Sequence, residues 1–116
     1  MHEMALAEEV RQIVEAAALR ENALCVRRVV VEIGRLAAVE PSAFEFCFAA
    51  VMRGSVAESA TLTLIETAGS GWCEDCAATV TVDELYSSCP CCGAYRLRIT
   101  GGMQMRVREI EISNRR

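Results

Sequence analysis

Apolar residues Leu6, Val10, Ile13, Val14 and Ala17 recur at steps of four, three, one and three, while Glu8, Glu9, Arg11, Gln12 and Glu15 fill the opposite side. That period predicts an amphipathic helix from Glu3 to about Glu21. Asn22 follows, a residue that tolerates a helix C-terminal turn. From Cys25 to Gly34 the pattern changes to a Val- and Ile-rich run, with Arg28 and Glu32 on one parity and Val29, Val31 and Ile33 on the other. This reads as a strand stopped at Gly34. Pro41 stands where a first helical turn starts, and Phe44, Cys47, Phe48 and Val51 follow at helical spacing until Gly54, which predicts a second helix over about 41–53. Thr61 to Glu66 alternates as a strand, and Met105 to Ser113 is another. In that last segment the apolar parity switches between Val107 and Ile110, predicting a bulge near Arg108 and Glu109.

The stretch from Gly69 to about Gly102, opened by Gly69-Ser70-Gly71 and closed by Gly101-Gly102, has a different character and holds five of the seven cysteines. The layout is therefore α+β: a small mixed β-sheet packed with two helices, plus an inserted zinc-ribbon-like module. The expected domains are a discontinuous α/β domain, 1–68 and 103–116, and a metal-binding domain, 69–102.

Within the module, Cys73-Glu74-Asp75-Cys76 and Cys89-Pro90-Cys91-Cys92 are separated by twelve residues. This C-x2-C-x12-C-x2-C spacing lets two tight turns present four thiolates to one tetrahedral metal, and it selects Cys73, Cys76, Cys89 and Cys92 as ligands for a structural zinc. Gly93 relieves the backbone after the second turn. A segment with so few large apolar residues has little means of forming a core without a metal. Iron in a rubredoxin-like site, free or disulfide-linked thiols, and a redox dithiol are the competing readings; Glu74 and Asp75 oppose the thiolate that the last would need. Cys91 reads as an exposed or half-buried bystander, and Cys25 and Cys47 as small core residues.

At 116 residues, with 53% hydrophobic and 24% charged content, the chain is globular and has no room for two full-sized enzymatic domains. All twelve basic residues are Arg. The absence of Lys excludes a P-loop and a Schiff-base lysine, and a single histidine, His2, leaves no ordinary catalytic triad to assemble. These absences favour a non-catalytic protein. A net charge of −4 and the lack of any Arg between Gly54 and Tyr95 argue against a phosphate-binding surface on the module, although a zinc-ribbon nucleic-acid or adaptor module is the alternative reading. The N-terminus does not read as a signal peptide, and no run suits a membrane helix, so the expectation is a cytoplasmic protein, where clustered thiols serve as metal ligands.

His2 gains meaning from its position. The α-amine of Met1, the His2 amide nitrogen and the imidazole close adjacent five- and six-membered chelate rings around one metal, and Glu3 supplies a fourth ligand through its amide nitrogen or carboxylate. Such nitrogen-rich sets suit Ni(II) or Cu(II). Together with Met1-His2-Glu3-Met4, Ile33-Gly34, Phe46-Cys47-Phe48, Arg53-Gly54-Ser55-Val56-Ala57-Glu58, the two C-x2-C pairs and Ile110-Glu111-Ile112, this end resembles the HypA/HybF hydrogenase maturation proteins over essentially the whole chain. The resemblance implies a nickel metallochaperone that delivers Ni(II) to the large subunit of a [NiFe]-hydrogenase with a HypB-type GTPase. In some organisms it also serves urease and its accessory proteins. It assigns His2 as the essential nickel ligand, helped by the Met1 amine and the backbone nitrogens of His2 and Glu3, with Glu3 also bearing on the partner interaction. Cys73, Cys76, Cys89 and Cys92 match the family's zinc ligands; Cys91 departs from the family pattern. The residues leave monomer or homodimer open.

Overall fold

A computed structural model describes residues 2–115. Its elements are helix α1 (Glu3–Arg20), strand β1 (Cys25–Gly34), a 3-10 turn (Arg35–Ala37), helix α2 (Pro41–Val51) and strands β2 (Thr61–Thr67), β3 (Gly69–Cys73), β4 (Ala78–Val82), β5 (Leu97–Gly101) and β6 (Met105–Ser113). The strands form two three-stranded sheets, ordered β2-β1-β6 and β4-β3-β5. The chain divides into two compact units, one of Met1–Val31, Val39–Ile65 and Arg106–Arg116, the other of Glu32–Ala38 and Glu66–Met105.

In the first unit, α1 buries Leu6, Ala7, Val10, Val14 and Ala18. Ile13, expected on that stripe, is instead 39% exposed. At 100° per residue it falls about 90° from the stripe's centre, at the rim rather than in the core. The helix ends as Asn22 suggested: Asn22 adopts φ 51°, the Ala23 amide donates to the Ala18 carbonyl at 2.9 Å, and the Asn22 amide to that of Leu19 at 3.2 Å. These bonds make a Schellman stop.

Helix α2 starts at Pro41, whose missing N–H costs nothing in a first turn. The preceding Glu40 is the cap, its carboxylate accepting from the Ala43 amide at 2.7 Å. Phe44 and Phe48 point into the core, while Phe46 is 74% exposed. Helices α1 and α2 pack together. The Glu3 carboxylate accepts from the Glu40 amide at 3.4 Å, and the Arg11 guanidinium donates to the Val51 carbonyl at 2.7 Å. Residue 3 beside 40 and residue 11 beside 51 make the pair run in one direction, so both helix N-termini share one end of this unit.

Strand β1 departs from a simple alternation: Val29, Val30 and Val31 are all buried. It is the middle strand of its sheet, and Val26 and Val30 are buried even though they share the parity of Arg28 and Glu32. Cys25 and Cys47 are half-buried rather than core residues; the Cys25 Sγ lies 3.0 Å from the Arg115 carbonyl. In β6, Arg108 and Glu109 are consecutive exposed residues, matching the parity switch.

The second unit is antiparallel. Cys73 pairs with Ala78 and Gly69 with Val82 across β3 and β4, and β3 pairs with β5 with a register shift between Ser70 and Gly71. The glycine-rich opening of the module is thus a strand in its own right. The reason is crowding: a Cβ on Gly34 would lie 2.1 Å from the Gly102 carbonyl oxygen, and one on Gly69 2.2 Å from that of Val82. Hydrogen bonds close this contact, from the Gly34 amide to Gln104 and from the Leu36 amide to Gly102, both 2.8 Å.

Candidate metal sites

The first C-x2-C pair is built into the β3–β4 hairpin. Cys73 is the last residue of β3, and Ala77 reverses the chain at φ 50° before β4 begins. The second pair precedes β5, with Gly93 at φ 76° in the equivalent position. The Gly93 amide donates to the Cys89 carbonyl at 2.8 Å, and the Cys89 amide to that of Ala94 at 2.7 Å. Two similar knuckles therefore face one another, one closed by glycine and the other by alanine.

The ligand atoms of Cys73, Cys76, Cys89 and Cys92 all lie within 4.8 Å of one another. The sulfur separations are 3.6 Å for Cys73 and Cys92 and 3.9 Å for Cys76 and Cys89. A disulfide needs about 2.05 Å. A tetrahedral zinc with Zn–S bonds of about 2.3 Å sets neighbouring sulfurs about 3.8 Å apart, so the cluster fits a four-thiolate metal. The amides of Cys76 and Cys91 point at the sulfurs of Cys73 and Cys89, each at 3.4 Å. Cys73 and Cys89 are buried, Cys76 is half-buried and Cys92 is exposed.

Without a cation the thiols ionise unequally. The Cys92 and Cys91 backbone amides bring Cys89 down to about 6 against desolvation, whereas the neighbouring thiols of Cys92 and Cys73 push Cys76 well above the ordinary thiol range. Four sulfurs converging on one point form a donor set for a divalent cation.

The N-terminal candidates lie in the other unit. Met1 is outside the described residues. His2 is exposed and is the N-cap of α1, with φ −91° and ψ 105° and no side-chain cap bond; Glu3 is the first helical residue. The His2 carbonyl accepts from the Leu6 amide at 3.2 Å. The first amides of a helix have no intrahelical acceptor, so those of His2 and Glu3 stand outside the ladder. Sequence patterns did not single out Glu40, which this end also brings in. Its carboxyl is held below 4.5 by the Ala43 amide first and the Ser42 hydroxyl next, and its position directly before Pro41 was the available signal.

A family model described as hydrogenase/urease nickel incorporation, metallochaperone, HypA matches residues 1–112. The chain belongs to the HypA family. HypA relatives include the hydrogenase maturation factor of Dechloromonas aromatica, 56% identical over 112 residues that cover 97% of this chain and 99% of the relative. That of Albidiferax ferrireducens is 49% identical over the same coverage. The solution structure of the Ni metallochaperone HypA from Helicobacter pylori superposes with a TM-score of 0.73 at 28% identity, covering 99% of this chain and 100% of that one. The expected two-helix α+β fold is thus the HypA fold, and its four-cysteine cluster has the geometry to hold a metal ion. Among the described residues no helix is long and apolar enough to cross a membrane.

Proposed function

We propose that this protein is a non-catalytic nickel carrier. It takes Ni(II) as cargo at its N-terminus and delivers it, in the cytoplasm, to the large subunit of a [NiFe]-hydrogenase. Zn(II) serves a structural role on Cys73, Cys76, Cys89 and Cys92. In this reading residues 1–68 and 103–116 are the nickel-binding domain, residues 69–102 hold the zinc, and a HypB-type GTPase is the partner in delivery.

The carrying observation is the state of His2: an exposed N-cap whose side chain caps nothing. Its imidazole is available to a metal, as are the amide nitrogens of His2 and Glu3 beyond the helical ladder. Glu3 can contribute its amide nitrogen while its carboxylate stays on the Glu40 amide. An exposed site with few ligands supports uptake and release alike, whereas a closed four-thiolate site retains its metal. Copper outranks nickel on intrinsic affinity, so selectivity rests on metal supply and partners.

Elemental analysis followed by Ni(II) titration of wild type and His2→Ala, both starting at Met1, tests this by calorimetry and d–d absorption. One zinc per chain, with nickel binding to wild type and not to the variant, is expected. Equal nickel binding by both, or binding only with displacement of zinc, would overturn the N-terminal assignment.

A further inference from the structure

Glu84 to Ser87 makes a four-residue turn between β4 and the second C-x2-C pair: the Ser87 amide and hydroxyl both donate to the Glu84 carbonyl, at 3.4 and 2.7 Å. Its third residue, Tyr86, has φ 66°. A turn with a positive φ at that position takes Gly or Asn, because a bulky side chain in the left-handed region is strained. No burial repays that strain, since Tyr86 is 93% exposed and Leu85 beside it is exposed too. The turn is nevertheless held on both sides. Before it, Val82 is buried and the Arg35 guanidinium donates to the Asp83 carbonyl at 3.2 Å; after it, Cys89 is buried as a member of the four-sulfur cluster. The ring is thus displayed from a braced turn, in a conformation that costs stability with almost no burial in return, the kind of outlier that points to function.

Charge identifies what the ring meets. Arg35 is shared by the carboxylates of Glu66, at 3.3 Å, and Asp83, at 3.7 Å. Glu84, directly before the apolar pair, is exposed and is in no ion pair with the described residues. No Arg or Lys occurs between Gly54 and Tyr95. An exposed aromatic inside an acidic collar complements an apolar pocket bordered by cations. Resting on the carrier reading above, we propose that the Leu85–Tyr86 turn is a docking finger for the protein that receives the nickel. Tyr86 enters an apolar pocket of that protein, and Glu84 faces Lys or Arg at the pocket's rim. A recipient has to be held while the N-terminus gives up its metal. His2 and Glu3 lie in the other unit, so a grip at this turn leaves the cargo ligands free for the transfer.

The test titrates the purified, nickel-free hydrogenase large subunit of the same organism into the zinc-loaded chain by calorimetry, with the HypB-type GTPase titrated in parallel. Tyr86→Ala is expected to weaken recipient binding at least about tenfold, and Tyr86→Phe to stay within about threefold of wild type. Glu84→Lys is expected to weaken binding and to flatten its salt dependence. Nickel binding and GTPase binding stay unchanged in all three. Recipient binding by Tyr86→Ala equal to that of wild type refutes the docking role, and a loss confined to the GTPase refutes the choice of partner. A wild type that takes up nickel but does not bind the recipient would instead remove the delivery reading on which the finger rests. Tyr86→Gly separates docking from folding. With the left-handed strain relieved, it should lose recipient binding yet unfold at a denaturant concentration no lower than wild type; a lower midpoint shows the ring serving the fold and overturns the proposal.

Discussion

On the proposed zinc reading, removing the metal is expected to unfold one unit and leave the other folded. Besides Cys73 and Cys89, the large buried side chains of the second unit are Leu36 and Val82, together contributing about 3–6 kcal/mol of apolar burial. A structural zinc contributes about 10–16 kcal/mol at neutral pH, so in this unit such a metal outweighs the apolar core by a factor of about 1.7 to 5. The first unit buries Leu6, Val10, Val14, Val26, Val29, Val30, Val31, Phe44, Phe48 and Met52, an apolar core several times larger that owes nothing to the cluster. Hydrogen exchange read by mass spectrometry, before and after treatment with a strong zinc chelator under reducing conditions, separates the two. Amides of β3, β4 and β5 should lose at least about 100-fold of their protection, while those of α1 and α2 change little. Undiminished protection in β3 and β4 of the zinc-free protein would refute the reasoning, as would an equal loss in α1.

Two glycine substitutions distinguish crowding from backbone conformation. Gly34→Ala drives a methyl group into the Gly102 backbone and should cost about 3 kcal/mol or more. Gly93→Ala meets no neighbour and pays only for its left-handed φ of 76°, about 1–2 kcal/mol; equal denaturant midpoints for the two zinc-loaded variants would contradict this. At the helix end, the Glu40 carboxyl is depressed below 4.5 by the Ala43 amide. Its capping contribution is therefore present above pH 4.5 and lost as pH falls through the lower folded value. The Ala43 amide shift should titrate with a midpoint below 4.5, and Glu40→Gln should abolish that titration; a midpoint at or above 4.5 would remove the cap.

Much of this architecture is legible in local patterns because local physics decides it. The 3.6-residue period places α1, Asn22 terminates it, Pro41 opens α2, and the cysteine spacing selects the four sulfurs that converge. The errors lie where neighbours decide. Val30 is buried although it shares the parity of the exposed Arg28, and Ile13 is exposed because the stripe is narrower than the periodicity suggests. Cys25 and Cys47 are half-buried although small apolar residues suit a core.

The sequence by itself determined both helices, strands β1, β2 and β6, and the spacing that brings Cys73, Cys76, Cys89 and Cys92 together, since these depend on residue chemistry within a few positions along the chain. Only the tertiary structure decided that Gly69–Cys73 is a strand, that both helix N-termini meet beside Glu3 and Glu40, and that the four-thiol site opens toward Cys92. Those outcomes depend on which backbones approach one another across long stretches of chain: the Gly34 position is filled by the Gly102 carbonyl, a contact that no local pattern encodes.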